Sequence, residues 1–341
     1  MSKNFKRVVI TREPPVGHPD ETLRKVGYDV RVGSYNWYTG TDPSTEELIN
    51  LIGDADAALV APFDKIGSRV MESCANVQVM VCAVIGVDKM DLEAATSRGI
   101  LICNSPAPEN FVGLAEATVG LVVMLMKGLK RNEDELRSGG WYRVANRGLM
   151  MQGRTVGLIG LGRVARETAR RLESWGMRLI GYDPYVEADT ARGFGVEKVS
   201  LDELLAQSDA VSLHVVLTEE TRNLIGMREL KLMKREAVLV NTARGGVVNE
   251  ADLAQALNQG IIAGAALDVF ASERIERDNP LFGVDQRKLI MTPHIIGHGQ
   301  GVEGSGLSLA VETIQSVLNG EVPKTVINHA AVDRWRARFW K

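Results

Sequence analysis

The sequence contains few cysteines and no excess of charge of one sign. Its 341 residues include three cysteines, Cys74, Cys82 and Cys103, which form neither a C-x-x-C motif nor a cysteine–histidine spacing. An odd number without such spacing argues against a disulfide framework and a zinc site, and a reducing cytoplasm fits best. Lysine and arginine together number 40, against 43 aspartates and glutamates, and these charges are interspersed. We therefore predict no nucleic-acid partner.

The sequence also lacks a recognisable targeting segment and a very long apolar run. The N-terminal stretch MSKNFKRVVITREPP has neither the apolar core nor the small-residue cleavage site of a signal peptide, and its short apolar run predicts a first strand. The longest apolar window, Gly113 to Met126, contains Glu116 and is shorter than a bilayer-spanning helix requires. No membrane partner is predicted.

Apolar strands alternate regularly with amphipathic helices along the chain. The first third contains five predicted strands, KRVVI, YDVRVG, AALVAP, VQVMVCAV and ILICN. Helical stretches such as STEELINLIG and DLEAATSRG lie between them. This alternation predicts an α/β fold with a mostly parallel, doubly wound sheet, and the chain is long enough for two such domains.

The alternation is interrupted once and then resumes. The segment SPAPEN, residues 105–110, contains two prolines that disfavour either element, and one long helix is predicted from Phe111 to about Ser138. From Thr155 the predicted strands are TVGLIG, RLIGYD, AVSLH, AVLVNT, IIAGAALDVF and KLIMTPH, with helices such as LDELLAQ and NEADLAQALNQ between them. A second α/β domain is predicted here. A last helix, within SGLSLAVETIQSVLNG, precedes a basic and aromatic tail that ends WRARFWK.

The second domain opens with a glycine-rich motif, VGLIGLGRVARETARRL. A buried strand is followed by Gly160-x-Gly162-x-x-Ala165 and a helix with Val164 on its packing face. Such small residues permit a tight turn, close approach of a pyrophosphate and close helix–strand packing, while the helix N-terminus faces the phosphates. Asp183, which ends the next strand, is suited to bind an adenosine ribose and to repel a 2′-phosphate. An ordinary strand–turn–helix is the alternative, but the whole unit favours NAD over NADP.

Three residues with catalytic potential follow strands further along the chain. Arg244 follows AVLVNTA, Glu273 follows ALDVFAS, and His294 follows LIMTP. An arginine can bind a carboxylate and polarise a carbonyl, and a histidine beside a carboxylate can exchange protons near neutral pH. Taken singly, each has an ordinary structural alternative: a surface arginine, a capping glutamate, a core histidine. Because ligands bind at the carboxyl edge of open α/β sheets, the three together predict a catalytic set.

The stretch TPHIIGHG contains two histidines four residues apart, which raises the question of a metal site. Glycines Gly297, Gly299 and Gly301 argue against a helical H-x-x-x-H pair, and no third ligand is near in sequence. No metal is predicted. His298 is interpreted either as a solvent-facing loop residue or as a residue that contributes to substrate choice.

These motifs together resemble the D-isomer-specific 2-hydroxyacid dehydrogenases, the family of D-lactate, D-glycerate/hydroxypyruvate and D-3-phosphoglycerate dehydrogenases. The resemblance covers nearly the whole chain. The segments that carry it, in family order, are GVDKMDLEAATSRGI, NFVGLAEATVGL, GGW, TVGLIGLGRVA, SLHVVLTEETRNLI, VLVNTARGGVVNEADLAQAL, GAALDVF and TPHI. The resemblance implies a Rossmann cofactor domain, residues 108–301, and a flavodoxin-like substrate domain, residues 1–107 with 302–341, with an interdomain cleft between them.

The resemblance also implies roles for individual residues. Arg244, Glu273 and His294 match the family's Arg-Glu-His set, in which the histidine is the general acid or base. The residues implied to bind cofactor are Gly160, Gly162, Arg163, Val164, Asp183, His214, Thr218, Thr242, Ala243, Asp268 and His294. Those implied to bind substrate are Val84, Ile85, Gly86, Arg244 and His298.

Four positions depart from the family pattern. Val84 stands where the family usually has a second glycine in the loop whose N–H groups hold the substrate carboxylate. Arg274 replaces the proline that follows the catalytic glutamate, and His298 replaces a small or hydroxyl residue. The usual H-x-P-L-T is His214-Val-Val-Leu-Thr218.

The function implied is hydride transfer between NAD and C2 of a small D-2-hydroxy or 2-oxo acid, by a cytoplasmic homodimer built on the cofactor domain. An alternative from another class is an NADH-binding corepressor, because such relatives can keep the Arg-Glu-His set. A dehydrogenase for an unusual substrate such as formate or phosphite is a third possibility. Glu273 argues against formate, since formate enzymes carry glutamine there.

Overall fold

A computed structural model describes residues 6–37, 41–299 and 301–340. Residues 1–5 of the N-terminal stretch and Lys341 of the tail therefore lie outside the described residues. In this part of the chain there are twelve strands: β1 Arg7–Ile10, β2 Asp29–Val32, β3 Ala57–Val60, β4 Val79–Cys82, β5 Leu101–Cys103, β6 Thr155–Ile159, β7 Arg178–Tyr182, β8 Glu197–Lys198, β9 Ala210–Leu213, β10 Val238–Asn241, β11 Gly264–Leu267 and β12 Leu289–Met291.

The same described ranges contain thirteen α-helices. They are α1 Pro19–Val26, α2 Thr45–Ile52, α3 Ser68–Ser73, α4 Leu92–Arg98, α5 Pro108–Lys127, α6 Leu129–Arg137, α7 Arg163–Glu173, α8 Ala188–Arg192, α9 Leu201–Gln207, α10 Met227–Leu232, α11 Glu250–Gln259, α12 Glu303–Leu318 and α13 Val332–Phe339. Helices α2 and α9 each begin with a serine–glutamate capping box, which satisfies N–H groups that the helix itself cannot.

The region after the predicted domain boundary differs from the sequence prediction in three ways. Helix α5 begins at Pro108, so the last residues of SPAPEN are helical; proline tolerates the first helical position because no N–H is needed there. The single long helix to Ser138 is wrong, because Gly128 takes a left-handed backbone (φ 60°) between α5 and α6. The length argument against a membrane span is also wrong: α5 has 20 residues and a mean hydropathy of 1.5.

Helix α5 has the features of a core helix, which passes the same test of length and composition as a membrane span. Of its most apolar window, 39% is buried inside the protein. Val119, Leu121, Val122 and Met126 pack into a cluster with residues of β6 and β10. Length and composition therefore do not assign α5 to a membrane.

The chain divides into two compact units, residues 1–110 with 299–341 (unit 1) and residues 111–298 (unit 2). Unit 1 contains a five-stranded parallel sheet in the order β2-β1-β3-β4-β5, the flavodoxin-like order. One face packs against α12 and α13, where Ile314 and Trp335 are buried, and the other packs against α2, α3 and α4. The C-terminal segment therefore completes the core of unit 1.

Unit 2 contains a seven-stranded sheet in the order β12-β11-β10-β9-β6-β7-β8, and all of its pairs are parallel. The first strand of the unit, β6, lies between β7 and β9, so the order of the strands reverses there. This is the doubly wound arrangement of Rossmann folds, which bind ligands outside the carboxyl ends of the strands at that reversal. The prediction of two doubly wound α/β sheets is confirmed.

Candidate active site

The glycine motif forms a sharp turn at the carboxyl end of β6. Gly160 has φ 88°, and a Cβ on it would lie 2.7 Å from the carbonyl oxygen of His214, so the turn packs directly on the end of β9. Gly162 precedes α7 without a side-chain cap, and a Cβ there would meet no heavy atom of the described chain within 4 Å. The uncapped N–H groups and the space at Gly162 fit a pyrophosphate.

The helix after this turn is packed by its small residues. Ala165 is fully buried, and Thr168, which is also buried, satisfies its hydroxyl within the helix by donating to the carbonyl of Val164 (2.9 Å). Arg163 lies at the start of α7 with its guanidinium 4.4 Å from the centre of the Phe111 ring. This cation–π contact holds a positive charge beside the turn.

Asp183, just past β7, connects two parts of the nucleotide edge. One carboxylate oxygen accepts from the N–H of Leu161 (2.9 Å) in the glycine turn, and the other accepts from the N–H of Tyr185 (2.8 Å). Each oxygen retains acceptor capacity for a ribose hydroxyl. The carboxylate therefore braces the turn and keeps acceptor capacity at the carboxyl end of β7.

His214 and Thr218 follow β9. His214 is half-buried as a whole, but its Nε2 is shielded from solvent and has no hydrogen-bond partner among the residues described. Burial lowers the pKa of His214 to about 4, so the ring is neutral at neutral pH. Thr218 is exposed and forms a turn in which its N–H donates to the hydroxyl of Thr221 (2.7 Å).

Arg244 is placed by a network just past β10. The side-chain amide of Asn241 donates to the carbonyl of Arg244 (2.9 Å), while its oxygen accepts from the N–H of Ala243 (3.0 Å). Gly245 follows with no room for a side chain, since a Cβ would lie 1.9 Å from the carbonyl carbon of Phe270. The Arg244 turn therefore packs against the segment that leads to Glu273.

Thr242 is buried beside Arg244 and has a partner from another element. Its hydroxyl lies 3.0 Å from the hydroxyl of Thr118 on α5. This contact joins the end of β10 to α5.

Asp268, at the end of β11, organises the turn that carries His294. The carboxylate is 1% exposed; its Oδ1 accepts from the hydroxyl of Thr292 (2.6 Å) and the N–H of Ile295 (3.0 Å). Burial raises the pKa of the Asp268 carboxyl above its ordinary value, an effect these donors partly oppose.

His294 and Glu273 form a hydrogen-bonded pair. His294 Nδ1 lies 3.0 Å from Glu273 Oε1, and both side chains remain about one-third exposed. Since an ionised carboxylate can only accept, Nδ1 carries the hydrogen and donates. This arrangement orients the ring and assigns its tautomer.

The loop around Glu273 is fixed at both ends by Glu250, the first residue of α11. Glu250 accepts from the N–H of Ala271 (2.6 Å) and from the side-chain amide of Asn279 (2.6 Å). Within this loop Arg274 has φ 65°, a backbone conformation that the family's usual proline cannot adopt. The departure at Arg274 is therefore a difference of backbone as well as of side chain.

The loop Val84–Gly86 lies in unit 1, past the end of β4. Its carbonyls are tied down: Ser105 N–H donates to Val84 (3.0 Å), and the Asn104 amide donates to Ile85 (2.9 Å). In the described chain, no acceptor binds the N–H groups of Val84, Ile85 and Gly86. The Val84 side chain is partly buried against the core of unit 1.

The segment with the two histidines is a succession of turns. His294 has a left-handed backbone (φ 53°), and the N–H of His298 donates to the carbonyl of Ile295 (2.9 Å). His298 is half-buried in unit 2. In the described ranges no group of three histidine, cysteine, aspartate or glutamate side chains is arranged to hold a metal ion.

Unit 2 thus brings the Arg244, Glu273 and His294 segments to the same sheet edge as the glycine turn, Asp183, His214 and Asp268. Sequence reasoning missed the residues that position this set, Asn241, Thr292 and Glu250. Asn241 and Thr292 lie inside the NTARG and TPH motifs. Their polar side chains, directly after apolar strands, were the available signal.

Comparisons with known proteins find one family. The family described as "D-isomer specific 2-hydroxyacid dehydrogenase, NAD binding domain" matches residues 119–296. The glyoxylate reductase of Korarchaeum cryptofilum is 35% identical over 335 residues, which cover 96% of this chain and 97% of that protein. The D-3-phosphoglycerate dehydrogenase of Methanocaldococcus jannaschii is 38% identical over 87% of this chain, but the match spans only 56% of that longer relative.

Solved structures with this fold include a ligand-bound example. The crystal structure of D-lactate dehydrogenase from Aquifex aeolicus complexed with NAD and lactic acid has a TM-score of 0.81 and 26% sequence identity, and the match covers 92% of this chain and 96% of that one. Family, fold and nucleotide-binding turn point to one conclusion. The chain belongs to the D-isomer-specific 2-hydroxyacid dehydrogenases, and the part of unit 2 from residue 119 to residue 296 is the NAD-binding domain of that family.

Proposed function

We propose that this chain interconverts a small D-2-hydroxy acid and its 2-oxo acid, with His294 as the general acid and base. The observation that carries the proposal is the His294–Glu273 hydrogen bond of 3.0 Å at the sheet edge that also bears the glycine turn. NAD, when bound, supplies or accepts the hydride at C2 of the substrate.

In the reducing direction, the protein's part is to bind the acid and deliver one proton. Because Nδ1 is occupied by its bond to Glu273, Nε2 of His294 is the nitrogen that donates the proton. It donates to the carbonyl oxygen of the substrate, which becomes the hydroxyl. The Glu273 carboxylate accepts from Nδ1 and holds the ring in this orientation. Arg244, in the same unit as His294, polarises the carbonyl.

The cofactor contacts follow from the same edge. Gly162, Arg163 and Val164 receive the pyrophosphate at the start of α7, and Asp183 receives the adenosine ribose. The remaining contacts are proposed to come from His214, Thr218, Thr242, Ala243 and Asp268. Preference for NAD over NADP follows from the Asp183 charge.

The direct test is NADH oxidation with a panel of 2-oxo acids, followed by chiral analysis of the product. We expect turnover with at least one acid and a D-configured hydroxy acid. NADH binding without turnover of any 2-oxo acid would refute the enzymatic proposal and favour a nucleotide-sensing interaction protein. Turnover of phosphite alone would identify the unusual-substrate alternative.

We further propose that the chain forms a homodimer through unit 2. The segment from α6 to the loop before β6 exposes large apolar side chains, and Trp141 and Tyr142 are 81% and 72% exposed. Other exposed apolar side chains of the same segment are Leu129, Leu136, Val144 and Met150. Exposed apolar patches of this kind are typical of protein interfaces. Light scattering should give twice the chain mass, and Trp141→Ser with Met150→Ser should shift the mass toward one chain.

The cytoplasm is the proposed location. Cys74, Cys82 and Cys103 are all buried as free thiols, and burial raises the pKa of the Cys74 thiol to about 11 and that of Cys103 to about 12. Such thiols are poor nucleophiles and suit a reducing compartment. Fractionation of the source cells should find the protein in the cytoplasmic fraction.

A further inference from the structure

The arginines of helix α7 differ in whether a carboxylate neutralises them. Near its end, Glu167 accepts from Arg170 (2.8 Å) and Arg171 (2.6 Å). Among the described residues, no carboxylate pairs with Arg163 or Arg166 at its start, and the first turn contains no acidic residue. The N-terminus of a helix carries partial positive charge, so two unpaired cations there are unfavourable unless an anion binds. The start of α7 therefore has more positive charge than the helix itself needs.

Arg166 is held beside the glycine turn by two contacts within unit 2. Its Nε donates to the carbonyl of Leu161 (3.3 Å), and its guanidinium carbon lies 4.9 Å from the centre of the Phe194 ring. Phe194 packs against the core of unit 2, whereas Arg166 is exposed. A guanidinium has five N–H donors, so the bond to Leu161 leaves the others available. A positioned cation with available donors thus faces solvent at the nucleotide turn.

Leu161 also connects Arg166 to Asp183. The N–H of Leu161 donates to the Asp183 carboxylate (2.9 Å), while its carbonyl accepts from Arg166. Since both groups bind the backbone of one residue, their bonded atoms lie within about 10 Å of each other. A carboxylate at this position suits the free 2′-hydroxyl of NAD, and an arginine suits the 2′-phosphate of NADP. Groups with opposite preferences therefore flank the same turn.

We propose that Arg166 is a second determinant of cofactor choice, which receives the 2′-phosphate when NADP binds. The preference for NAD then depends on the balance between Asp183 and Arg166, and not on Asp183 alone. This inference rests on the cofactor contacts proposed above, in which Arg163 remains beside the pyrophosphate. It follows that removing the Asp183 charge improves NADP binding without any added cation, because Arg166 already supplies one.

The test measures Kd for NADH and NADPH by nucleotide fluorescence and compares the ratio of Kd for NADPH to Kd for NADH. This ratio cancels any effect that the two nucleotides share. Asp183→Ser should lower the ratio by about tenfold or more, and adding Arg166→Met should raise it again by about tenfold. Arg166→Lys should raise it less, because lysine keeps the charge without the planar fork. The matched control, Arg170→Met, should leave the ratio within about twofold.

Three results would overturn the inference. If Arg166→Met weakens NADH and NADPH equally, the ratio stays constant and the guanidinium only supports the glycine turn. A rise of equal size in Arg170→Met would assign the effect to the general charge of α7. An unchanged ratio in Asp183→Ser would remove Asp183 from cofactor choice, and Arg166 would then have no charge to balance. No 2-oxo acid enters these measurements, so failure of the proposed reaction appears separately, as absent turnover in the acid panel.

Discussion

His294 is held in a conformation that a histidine adopts only when its surroundings require it. Its φ of 53° lies in the left-handed region, which costs a residue with a side chain about 1 kcal/mol or more. The turn is fixed by the bond from His294 N–H to the carbonyl of Thr292 (3.0 Å) and by Asp268, which binds Thr292 and Ile295. The ring direction is therefore set by buried polar contacts on both sides of it.

Replacing His294 with alanine removes the proposed proton donor without touching the glycine turn. We expect kcat to fall by about 10²-fold or more, while the Kd for NADH stays within about threefold. His329→Ala is the matched control, because His329 is exposed on a short 3-10 helix of unit 1. Near-normal turnover by His294→Ala would remove this residue from the mechanism.

Glu273 should act through His294, and a double-mutant cycle tests that dependence. Glu273→Ala should lower kcat/KM by about tenfold or more in the wild type but by less than about threefold in His294→Ala, because residues that act as a unit are not additive. Glu273→Gln, which keeps a hydrogen-bond acceptor, should retain more activity than Glu273→Ala. If the loss of kcat/KM in the double mutant equals the product of the losses in the two single mutants, Glu273 does not act through His294.

His214 links stability to pH. Its pKa of about 4 in the folded protein lies below the unfolded value near 6.5, so the unfolded chain binds a proton more readily. The stabilisation is present above about pH 6.5 and is lost as the pH falls toward 4. When the pH is lowered from 7 to 5, the free energy of unfolding of the wild type, measured by urea denaturation, should fall by about 2 kcal/mol more than that of His214→Asn. Equal losses would contradict a buried neutral ring.

Among the secondary-structure elements, the strands followed from the sequence most directly. Each of the eleven predicted apolar runs contains an observed strand, because strands buried on both faces of a parallel sheet are continuously apolar. Strand β8, Glu197–Lys198, was missed, since two polar residues at a sheet edge give no such signal. The short helices α1 and α3 were not predicted either. Their eight and six residues are too few to show a clear helical period.

The candidate site was less predictable than the strands that carry it. Arg244, Glu273 and His294 could be chosen from residue type and position past a strand. Their mutual placement depends on side chains such as Asn241 and Thr292 and on contacts between segments distant in sequence. Periodicity reports which face of an element is buried, but it contains no information about the hydrogen bonds between loops.

The loop after Glu273 is the element in which this chain departs most clearly from its family. Arg274 has φ 65°, while proline is restricted to about −65°. Restoring the family's usual residue with Arg274→Pro should therefore displace Glu273 and lower kcat/KM by about tenfold, whereas Arg274→Gly should keep the backbone and most of the activity. Full activity in Arg274→Pro would show that the loop tolerates a different backbone.

At the scale of the whole molecule, the two units differ in how the chain builds them and in which proposed site residues they contain. Unit 2 is built from one continuous segment and contains the proposed catalytic set and nucleotide turn. Unit 1 is built from two segments separated by that entire unit. Most of one layer on its sheet comes from α12 and α13, at the end of the chain, which pack beside α1. Unit 1 therefore depends on contacts between residues more than 200 positions apart.

Trp335 is the side chain through which this dependence can be measured. It is fully buried on α13 in the core of unit 1, whereas Trp340, whose ring centre lies 6.1 Å away, is 41% exposed. Trp335→Ala should cost about 3–5 kcal/mol of unfolding free energy, and Trp340→Ala should cost much less. Hydrogen exchange should then show β1–β5 losing protection in Trp335→Ala while β6–β12 keep theirs. Equal loss of protection in both sheets would show that the two units unfold as one cooperative body, because destabilising unit 1 would then destabilise every strand alike.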